Sequence, residues 1–217
     1  RPDEAAAKHA FVSRFAREGQ PRELLDLGCN TGDYSQAALE AAGGGRVIGF
    51  DFDQGALEAA VARADTHRLD FLPLFLDAMN PSADQGWAQQ ERRGFQARAK
   101  ADGLLALALL HHLVIGRNVP LPQAVRWLLS LAPSGVIEFV PKQDVMVQRM
   151  LAHRDDVFPG YHIAAFRQGL IQIFGYAQRI ARTLHLYFNR NIWKRSHLAR
   201  RRFNLYRRSL RQGIHGW

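Results

Sequence analysis

The sequence predicts an α/β fold with a doubly wound, mostly parallel sheet of seven strands, of which the last strand is antiparallel. Short apolar runs alternate with longer helix-forming segments along most of the 217 residues, as in repeated strand–helix units. Several of these runs end in acidic or glycine-bearing turns, at the place where open parallel sheets bind ligands. The final two apolar segments are joined by a tight turn, which favours antiparallel pairing.

The first half of the chain contains three predicted strands and three predicted helices. Residues 3–17 place apolar side chains at helical spacing, so the first helix ends near Gly19. Each later strand is a short apolar run, followed by a segment rich in helix-forming residues. The predicted strands cover residues 24–27, 46–50 and 71–76, and the helices between them cover 34–42 and 54–64.

The second half opens with a polar stretch, residues 81–101, which we interpret as a loop and helix beside the ligand site. The next run, 101–108, is mainly apolar, as expected for a central parallel strand with both faces buried. Further predicted helices cover 120–131, 141–152 and 161–170, and the remaining predicted strands cover 136–140, 171–179 and 183–188.

A glycine-bearing turn joins the first strand to the following helix. Asp26, Gly28 and Gly32 have the spacing D-x-G-x-x-x-G, and glycine lets a backbone approach a ligand closely. The dinucleotide fingerprint G-x-G-x-x-G would require glycine at positions 26, 28 and 31, and only position 28 satisfies it. The turn therefore favours a ligand with an amino-acid end, which a carboxylate such as Asp26 or Asp33 can bind, over a pyrophosphate.

The run Asp-Leu-Gly-Cys-Asn-Thr-Gly at 26–32 resembles the first motif of class I S-adenosylmethionine (SAM) dependent methyltransferases. The resemblance implies a Rossmann-like methyltransferase fold with SAM as the cofactor. It also implies that Asp26, Gly28, Asn30 and Gly32 bind this cofactor. For the motif taken alone, the alternative is an ordinary strand-to-helix turn of another α/β protein.

Two further acidic residues follow predicted strands at positions suited to the same cofactor. Asp51 lies 23 residues beyond the first glycine of the turn, near the ~20-residue interval at which a carboxylate meets ribose hydroxyls. Helix capping is the alternative for Asp51, and it is the main role that we assign to Asp53. The methyltransferase resemblance implies that Asp77, after the third strand, binds the adenine amino group between apolar neighbours. We also place Phe52 and Ala78 in the predicted cofactor site.

Three polar residues define the predicted acceptor side. His111 and His112 follow the fourth strand, and Glu138 lies inside the otherwise apolar fifth strand. A neutral imidazole can take a proton from a hydroxyl, so we predict these three residues as catalytic, with His111 preferred as the base. Glu138 would orient the imidazole or bind the acceptor; the alternatives are packing or capping for the histidines and a bond to a neighbouring loop for Glu138. Adjacent histidines seldom converge on one ion, so we predict no metal site.

The positive charge of the chain is concentrated at its carboxyl end. Residues 1–188 hold 20 basic and 20 acidic side chains, whereas 189–217 hold nine basic and no acidic ones, which accounts for the net charge of +9. We predict a methyltransferase domain over 1–188 and a basic tail over 189–217. Basic and aromatic residues alternate in the tail and suit RNA or an anionic membrane surface about equally. A solvated extension is the alternative.

The cysteine content and the hydropathy indicate a cellular compartment. Cys29 is the single cysteine, which excludes an intramolecular disulfide and fits a reducing environment. The sequence shows no signal-peptide pattern and no apolar run long enough to cross a membrane. These features predict a cytoplasmic protein.

The sequence as a whole predicts a SAM-dependent methyltransferase. The nitrogen-methylation signature Asn-Pro-Pro-Tyr is missing after the fourth strand, so we expect an oxygen of a small molecule or glycan as the acceptor. The alternatives are a non-catalytic SAM-binding module and an RNA-directed methyltransferase that uses the basic tail; the glycine spacing argues against an NAD-dependent oxidoreductase. Residues 104–150 also resemble a subgroup of methyltransferases akin to host-specific nodulation proteins.

Overall fold

The computed structural model describes residues 2–152, 155–176 and 183–188, and the predicted basic tail lies outside these residues. None of the helices in this described part has the length and apolarity needed to cross a membrane. A 3₁₀ turn at Trp87–Gln89 and a π-helix at His112–Gly116 accompany the α-helices. The α-helices are α1 Pro2–Gly19, α2 Asp33–Ala42, α3 Gln54–His67, α4 Phe95–Arg98, α5 Leu121–Leu131, α6 Val145–Leu151 and α7 Ile163–Tyr176. The strands are β1 Glu23–Leu27, β2 Arg46–Asp51, β3 Phe71–Phe75, β4 Gly103–Ala106, β5 Ser134–Phe139 and β6 Thr183–Phe188.

The described strands form one sheet in the order β3-β2-β1-β4-β5-β6. All neighbouring pairs from β3 through to β5 are parallel. The chain moves outward from β1 to one edge of the sheet and then, starting again at β4, to the other edge. This reversal is the point where open α/β sheets bind ligands, beyond the carboxyl ends of the strands. The predicted doubly wound parallel fold is confirmed.

Helices cover both faces of the central strands. Leu105 of β4 belongs to a buried cluster that also contains Val12 of α1, Ala38 of α2 and Ala60 of α3. Its neighbour Leu104 is also buried, although strand alternation turns it to the opposite face, and α5 contacts β4. A strand buried on both faces reads as a continuous apolar run, which is the pattern that predicted its central place.

The carboxyl-terminal elements differ from the prediction. The sequence predicts a strand at 171–179, but residues 171–176 continue α7, so this prediction is wrong over that range. The alternation around Ile171 and Ile173 imitates a strand, whereas the buried Phe166 and Leu170 preceding them have the four-residue spacing of a helix. The sheet therefore has six described strands where seven were predicted. The strand predicted at 183–188 is confirmed as β6, and its antiparallel direction stays a prediction.

Strand β3 forms one edge of the sheet. Leu72 and Leu74 point to the same face of this strand and are 48% and 39% exposed. Pro73 stands between them. The carbonyl oxygen of Asp70 and the N–H of Leu76 both form hydrogen bonds with β2. Along a strand, the backbone groups of successive residues point alternately to the two sides, so the even-numbered residues here face β2. The nitrogen of Pro73 therefore faces the outer edge of the sheet.

Candidate functional site

The turn after β1 is fixed to the end of β2 by backbone hydrogen bonds. The N–H groups of Gly28 and Cys29 both donate to the carbonyl oxygen of Phe50, at 2.7 and 3.1 Å. Gly28 and Asn30 have φ values of +78° and +48°, in the left-handed region that glycine and asparagine adopt most readily. The turn therefore curls over the carboxyl edge of the sheet, where the predicted cofactor residues lie.

Gly32 closes this turn at the start of α2, with a φ of +80°. A Cβ atom at this position would lie 2.4 Å from Cε1 of Phe71, which is a buried ring of the core. The sequence predicts close approach of a ligand at Gly32, and the contact with Phe71 is a second reason for glycine at this position. The ring of Phe71 supports the turn from the core side, so the shape of the turn depends on the core.

Asp51 lies at the carboxyl end of β2, and each of its carboxylate oxygens accepts one backbone N–H. Oδ2 accepts from Asn30 at 2.8 Å, and Oδ1 accepts from Asp53 at 3.0 Å. A carboxylate has about four acceptor sites, so Asp51 retains the capacity for two further hydrogen bonds. The side chain of Asp53 accepts from the N–H of Ala56 and caps α3, which confirms the role predicted for it.

Asp26 lies inside β1 and is buried. Its Oδ2 accepts a hydrogen bond from Oγ of Ser35 at 2.6 Å, which attaches α2 to β1. Burial raises the pKa of Asp26 to about 7; the Ser35 hydrogen bond acts against this shift, and the charge of Asp51 adds to it. Asp33, the other carboxylate considered for an amino-acid end, lies at the surface with its Oδ2 2.6 Å from Nε2 of His9.

The backbone brings Asp77 close to Asp51 at neighbouring strand ends. The N–H of Leu76 donates to the carbonyl oxygen of Asp51 at 2.9 Å. Oδ1 of Asp77 accepts from the N–H of Met79 at 2.9 Å and closes the turn in which the half-buried Ala78 lies. The backbone segments that carry these two predicted cofactor residues are thus joined at the carboxyl edge of the sheet.

Two exposed aromatic residues are near these carboxylates in the sequence. Phe52 follows β2 and Phe75 ends β3, and they expose 67% and 62% of their surface. Exposed aromatic rings supply flat apolar faces on which a heteroaromatic ring can stack. The arrangement combines hydrogen-bond acceptors with apolar faces, as a nucleoside requires.

The two predicted histidines follow β4 and contact each other. Their ring centroids lie 4.2 Å apart. His111 is only 3% exposed, and its Nδ1 has no hydrogen-bond partner among the described residues. Burial lowers the pKa of His111 to about 4; His112 and Lys8 act in the same direction, and Asp144 acts against them. His111 is therefore neutral at pH 7.

His112 is the exposed member of the pair and begins the π-helix. Partial burial lowers its pKa below the ordinary range, while the negative charge of Asp51 acts in the opposite direction. Single π-helical turns are found often at functional sites, because they shift side chains out of the regular helical positions.

Glu138 is buried in β5, and the contacts of its carboxylate are defined. Oε2 accepts from Nζ of Lys8 at 2.9 Å and from the N–H of Ala108 at 2.8 Å. The loop after β4 therefore satisfies this glutamate, which was one of the two alternatives for it. These two bonds differ from the predicted role of Glu138 in orienting a histidine.

Lys8, His9 and Ala108 are residues of the site that were not predicted from the sequence. Lys8 and His9 belong to α1, and Lys8 is 130 residues away from the glutamate that it contacts. Ala108 has a φ of +50°, a left-handed conformation that is uncommon for alanine. No local pattern announces either feature, because both arise from contacts between distant segments.

Residues 25–137 match the family described as a methyltransferase domain, which is more than half of the chain. The chain belongs to this methyltransferase domain family. The match begins in β1 and ends in β5, so it includes the glycine-bearing turn, the strand ends of the cofactor side and both histidines.

The methyltransferase domain has a close relative among nodulation proteins. Nodulation protein NoeA of Rhizobium meliloti (strain 1021) is 52% identical over 165 residues, which are 76% of this chain and 34% of that protein. The chain thus spans about a third of the length of this relative. The predicted resemblance to host-specific nodulation proteins is confirmed.

Solved structures resemble the chain at low sequence identity. A crystal structure of WbdD is 17% identical with a TM-score of 0.50, covering 72% of this chain and 33% of that chain. The SAH-bound methyltransferase PaMTH1 of Podospora anserina is 13% identical with a TM-score of 0.41, covering 57% and 46%. The likeness to WbdD shows a common fold.

The cofactor of the methyltransferase domain is S-adenosylmethionine. The residues at the carboxyl edge of the sheet fit this group. Asp51 has spare acceptor capacity for a pair of hydroxyls, and Phe52 and Phe75 present apolar faces. The predicted assignment to class I SAM-dependent methyltransferases is thereby confirmed.

Proposed function

We propose that this domain methylates an oxygen atom of a small-molecule or glycan acceptor, and that His112 takes the proton from the acceptor hydroxyl. SAM supplies a methyl group made electrophilic by the positive sulfonium to which it is attached. The observation that carries the proposal is the exposed imidazole of His112, which begins the π-helix after β4 and contacts the buried His111. A hydroxyl must lose its proton as it attacks, and a neutral histidine is a suitable acceptor for it.

The choice of His112 revises the preference for His111 derived from the sequence. His111 is 3% exposed, and its pKa of about 4 makes it a weak base. His112 is exposed; its partial burial lowers its pKa, and the negative charge of Asp51 opposes that shift. In this proposal the buried His111 supports the ring of His112 through their contact.

The proposal also states which part of SAM is bound by the residues at the carboxyl end of each strand. Asp51 accepts the ribose hydroxyls, and Asp77 accepts the adenine amino group. Phe52 and Ala78 border the adenine ring, and the turn of Gly28, Asn30 and Gly32 follows the amino-acid end, with Asp26 beneath it. Support comes from the spare acceptor sites of Asp51 and from the proximity of Asp77.

One experiment separates cofactor binding from catalysis. Asp51→Ala should weaken SAM by about 2 to 4 kcal/mol in calorimetric titration, because two charge-assisted hydrogen bonds are lost. His112→Ala should keep SAM affinity and lose roughly 10²–10⁴-fold in methyl transfer from labelled SAM to a panel of sugars and small alcohols. Turnover of the parent should fall as the pH drops through the pKa of His112, which lies below the ordinary ~6.5.

His67→Ala, at the exposed end of α3, is the matched control and should alter neither quantity. Unchanged SAM affinity in a folded Asp51→Ala protein would refute the ribose assignment. Full turnover in His112→Ala would show that catalysis is positional. Methylation of RNA but of no sugar or alcohol would favour the RNA-directed alternative, which the basic tail at 189–217 would serve.

A further inference from the structure

The carboxylate of Glu138 connects three separate segments of the chain. Glu138 lies in β5 and is 2% exposed. A single oxygen, Oε2, accepts from Nζ of Lys8 in α1 at 2.9 Å and from the N–H of Ala108 after β4 at 2.8 Å. A buried carboxylate is costly unless such charge-assisted bonds satisfy it, so these contacts are a requirement of its burial.

The residue held by this carboxylate has a strained backbone. Ala108 has a φ of +50°, where the Cβ of any residue other than glycine is crowded. Such conformations persist only where the surrounding structure fixes them, and they are concentrated at functional sites. The bond from the N–H of Ala108 to Glu138 is a direct restraint on this conformation.

Ala108 immediately precedes the turn that carries the histidines. The carbonyl oxygen of Leu109 accepts from the N–H groups of His112 and Leu113, at 2.9 and 3.2 Å, and so begins the helical turn. The backbone angles of Ala108 therefore set the direction in which this turn leaves β4. A Cβ built on Gly28 would lie 3.7 Å from the carbonyl oxygen of Leu107, so the segment lies against the cofactor-side turn.

Lys8, the other partner of Glu138, attaches helix α1 to β5. Lys8 Nζ lies 5.7 Å from the ring centroid of Tyr34 in α2, and the adjacent His9 contacts Asp33. Helix α1 thus contacts Glu138 through Lys8 and the amino-terminal end of α2 through His9.

We propose that Glu138 and Lys8 are positioning residues that hold Ala108 in its left-handed conformation and thereby aim His112 at the acceptor. The inference rests on the proposed function of His112. It assigns Glu138 no contact with the acceptor, and it makes the amino-terminal helix part of the catalytic arrangement.

The test uses the conservative variant Glu138→Gln together with Ala108→Gly. Glutamine keeps the shape of the side chain but weakens both charge-assisted bonds, so kcat should fall roughly 10- to 100-fold, with SAM affinity and the acceptor KM unchanged. Glycine adopts the left-handed conformation without crowding, so the double variant should regain most of the lost kcat.

Lys8→Met tests the ion pair between Lys8 and Glu138, and Arg46→Met is its matched control. It should lower kcat in the same way, whereas Arg46→Met should leave kcat unchanged, because the Arg46–Asp70 ion pair lies at the amino-terminal end of β2. Amide hydrogen exchange adds a readout that is independent of turnover. The N–H groups of Ala108 and His112 should exchange about tenfold faster in Glu138→Gln than in the parent.

The possible results separate the two proposals. Faster exchange at Ala108 with no turnover in the parent would support the positioning role while refuting the proposed reaction. Three results would overturn the positioning role: unchanged exchange at Ala108, an increase in acceptor KM without a change in kcat, or a double variant no more active than Glu138→Gln. If Glu138→Gln fails to fold, amide exchange at Ala108 is measured in Lys8→Met. Faster exchange than in the parent would support the positioning role, and unchanged exchange would overturn it.

Discussion

At the scale of single residues, two buried titratable side chains shape the charge of the site. Burial raises the pKa of Asp26 to about 7 and lowers the pKa of His111 to about 4. Both shifts favour the neutral form, because a buried charge is poorly solvated. The carboxylates proposed to bind the cofactor lie elsewhere: Asp51 ends β2, and Asp77 follows β3.

The shifted pKa of His111 predicts how stability depends on pH. The native protein keeps His111 neutral, whereas the unfolded chain binds a proton near the ordinary pKa of ~6.5. The contribution of His111 to the free energy of unfolding is therefore complete above pH ~6.5. It is lost as the pH falls toward 4, by up to about 3 kcal/mol. In urea unfolding at pH 7 and pH 4.5, His111→Leu should lose correspondingly less stability on acidification than the parent.

Asp26 acts in the opposite direction over the same range, because its raised pKa makes the native state bind a proton more readily. The effect of Asp26 is the same in the parent and in His111→Leu. The difference between the two proteins in the pH dependence of stability therefore reports on His111 alone. An identical dependence on pH in the two proteins would contradict the buried, neutral state of His111.

At the scale of elements, the turn between β1 and α2 depends on the packing beneath it. A Cβ at Gly32 would meet Phe71 at 2.4 Å, whereas Gly43, at the end of the same helix, has a similar φ of +72° and nothing within 4 Å. Gly43→Ala should cost about 1 kcal/mol of unfolding free energy for the backbone alone. Gly32→Ala should cost a further ~1–3 kcal/mol from overpacking.

Thermal or urea unfolding of Gly32→Ala and Gly43→Ala compares the backbone cost with the additional cost of overpacking. Gly32→Ala combined with Phe71→Leu should recover part of the packing cost, since the smaller side chain leaves room for the new methyl group. Equal losses for Gly32→Ala and Gly43→Ala would mean that the ring of Phe71 moves away freely.

Elements with a local signature were predictable from the sequence. The run from Asp26 to Gly32 specifies a strand, a turn with positive φ and a helix within a few residues. Asp53 announces the start of α3 because capping acts over three residues. The buried strands β1 and β4 are recognised by apolar runs, since both of their faces are covered.

Features that depend on distant contacts were not predictable. The ion pair between Lys8 and Glu138 joins residues 130 positions apart, and each looks ordinary within its own segment. The left-handed Ala108 carries no glycine to mark it. The strand predicted over 171–176 failed because a short apolar run fits both periods, and helix α7 extends the pattern that precedes it.

At the scale of the whole molecule, the two halves of the site come from separate parts of the chain. The proposed cofactor residues lie between 26 and 78, on β1, β2 and β3 and the turns that follow, and the proposed acceptor residues follow β4 or lie in β5. The switch in strand order between β1 and β4 brings the two sets to one edge. Amide-exchange protection should therefore be sensitive to SAM mainly in the first set.

Deletion of residues 189–217 should leave SAM affinity unchanged in calorimetric titration, because every proposed cofactor residue lies outside that segment. The deletion removes nine positive charges and no negative ones, so binding to RNA or to anionic vesicles should weaken, and more so at low salt. A loss of SAM affinity in a deletion variant that remains folded would make the tail part of the methyltransferase domain.

The outer edge of β3 affects how the domain behaves at high concentration. An edge strand offers free backbone donors and acceptors that can recruit a strand from another molecule, and the exposed Leu72 and Leu74 add apolar attraction. Pro73 removes the donor in the middle of the outward-facing row. A second strand pairing there would lack the central hydrogen bond of its ladder, so we expect Pro73 to disfavour edge-to-edge sheet growth.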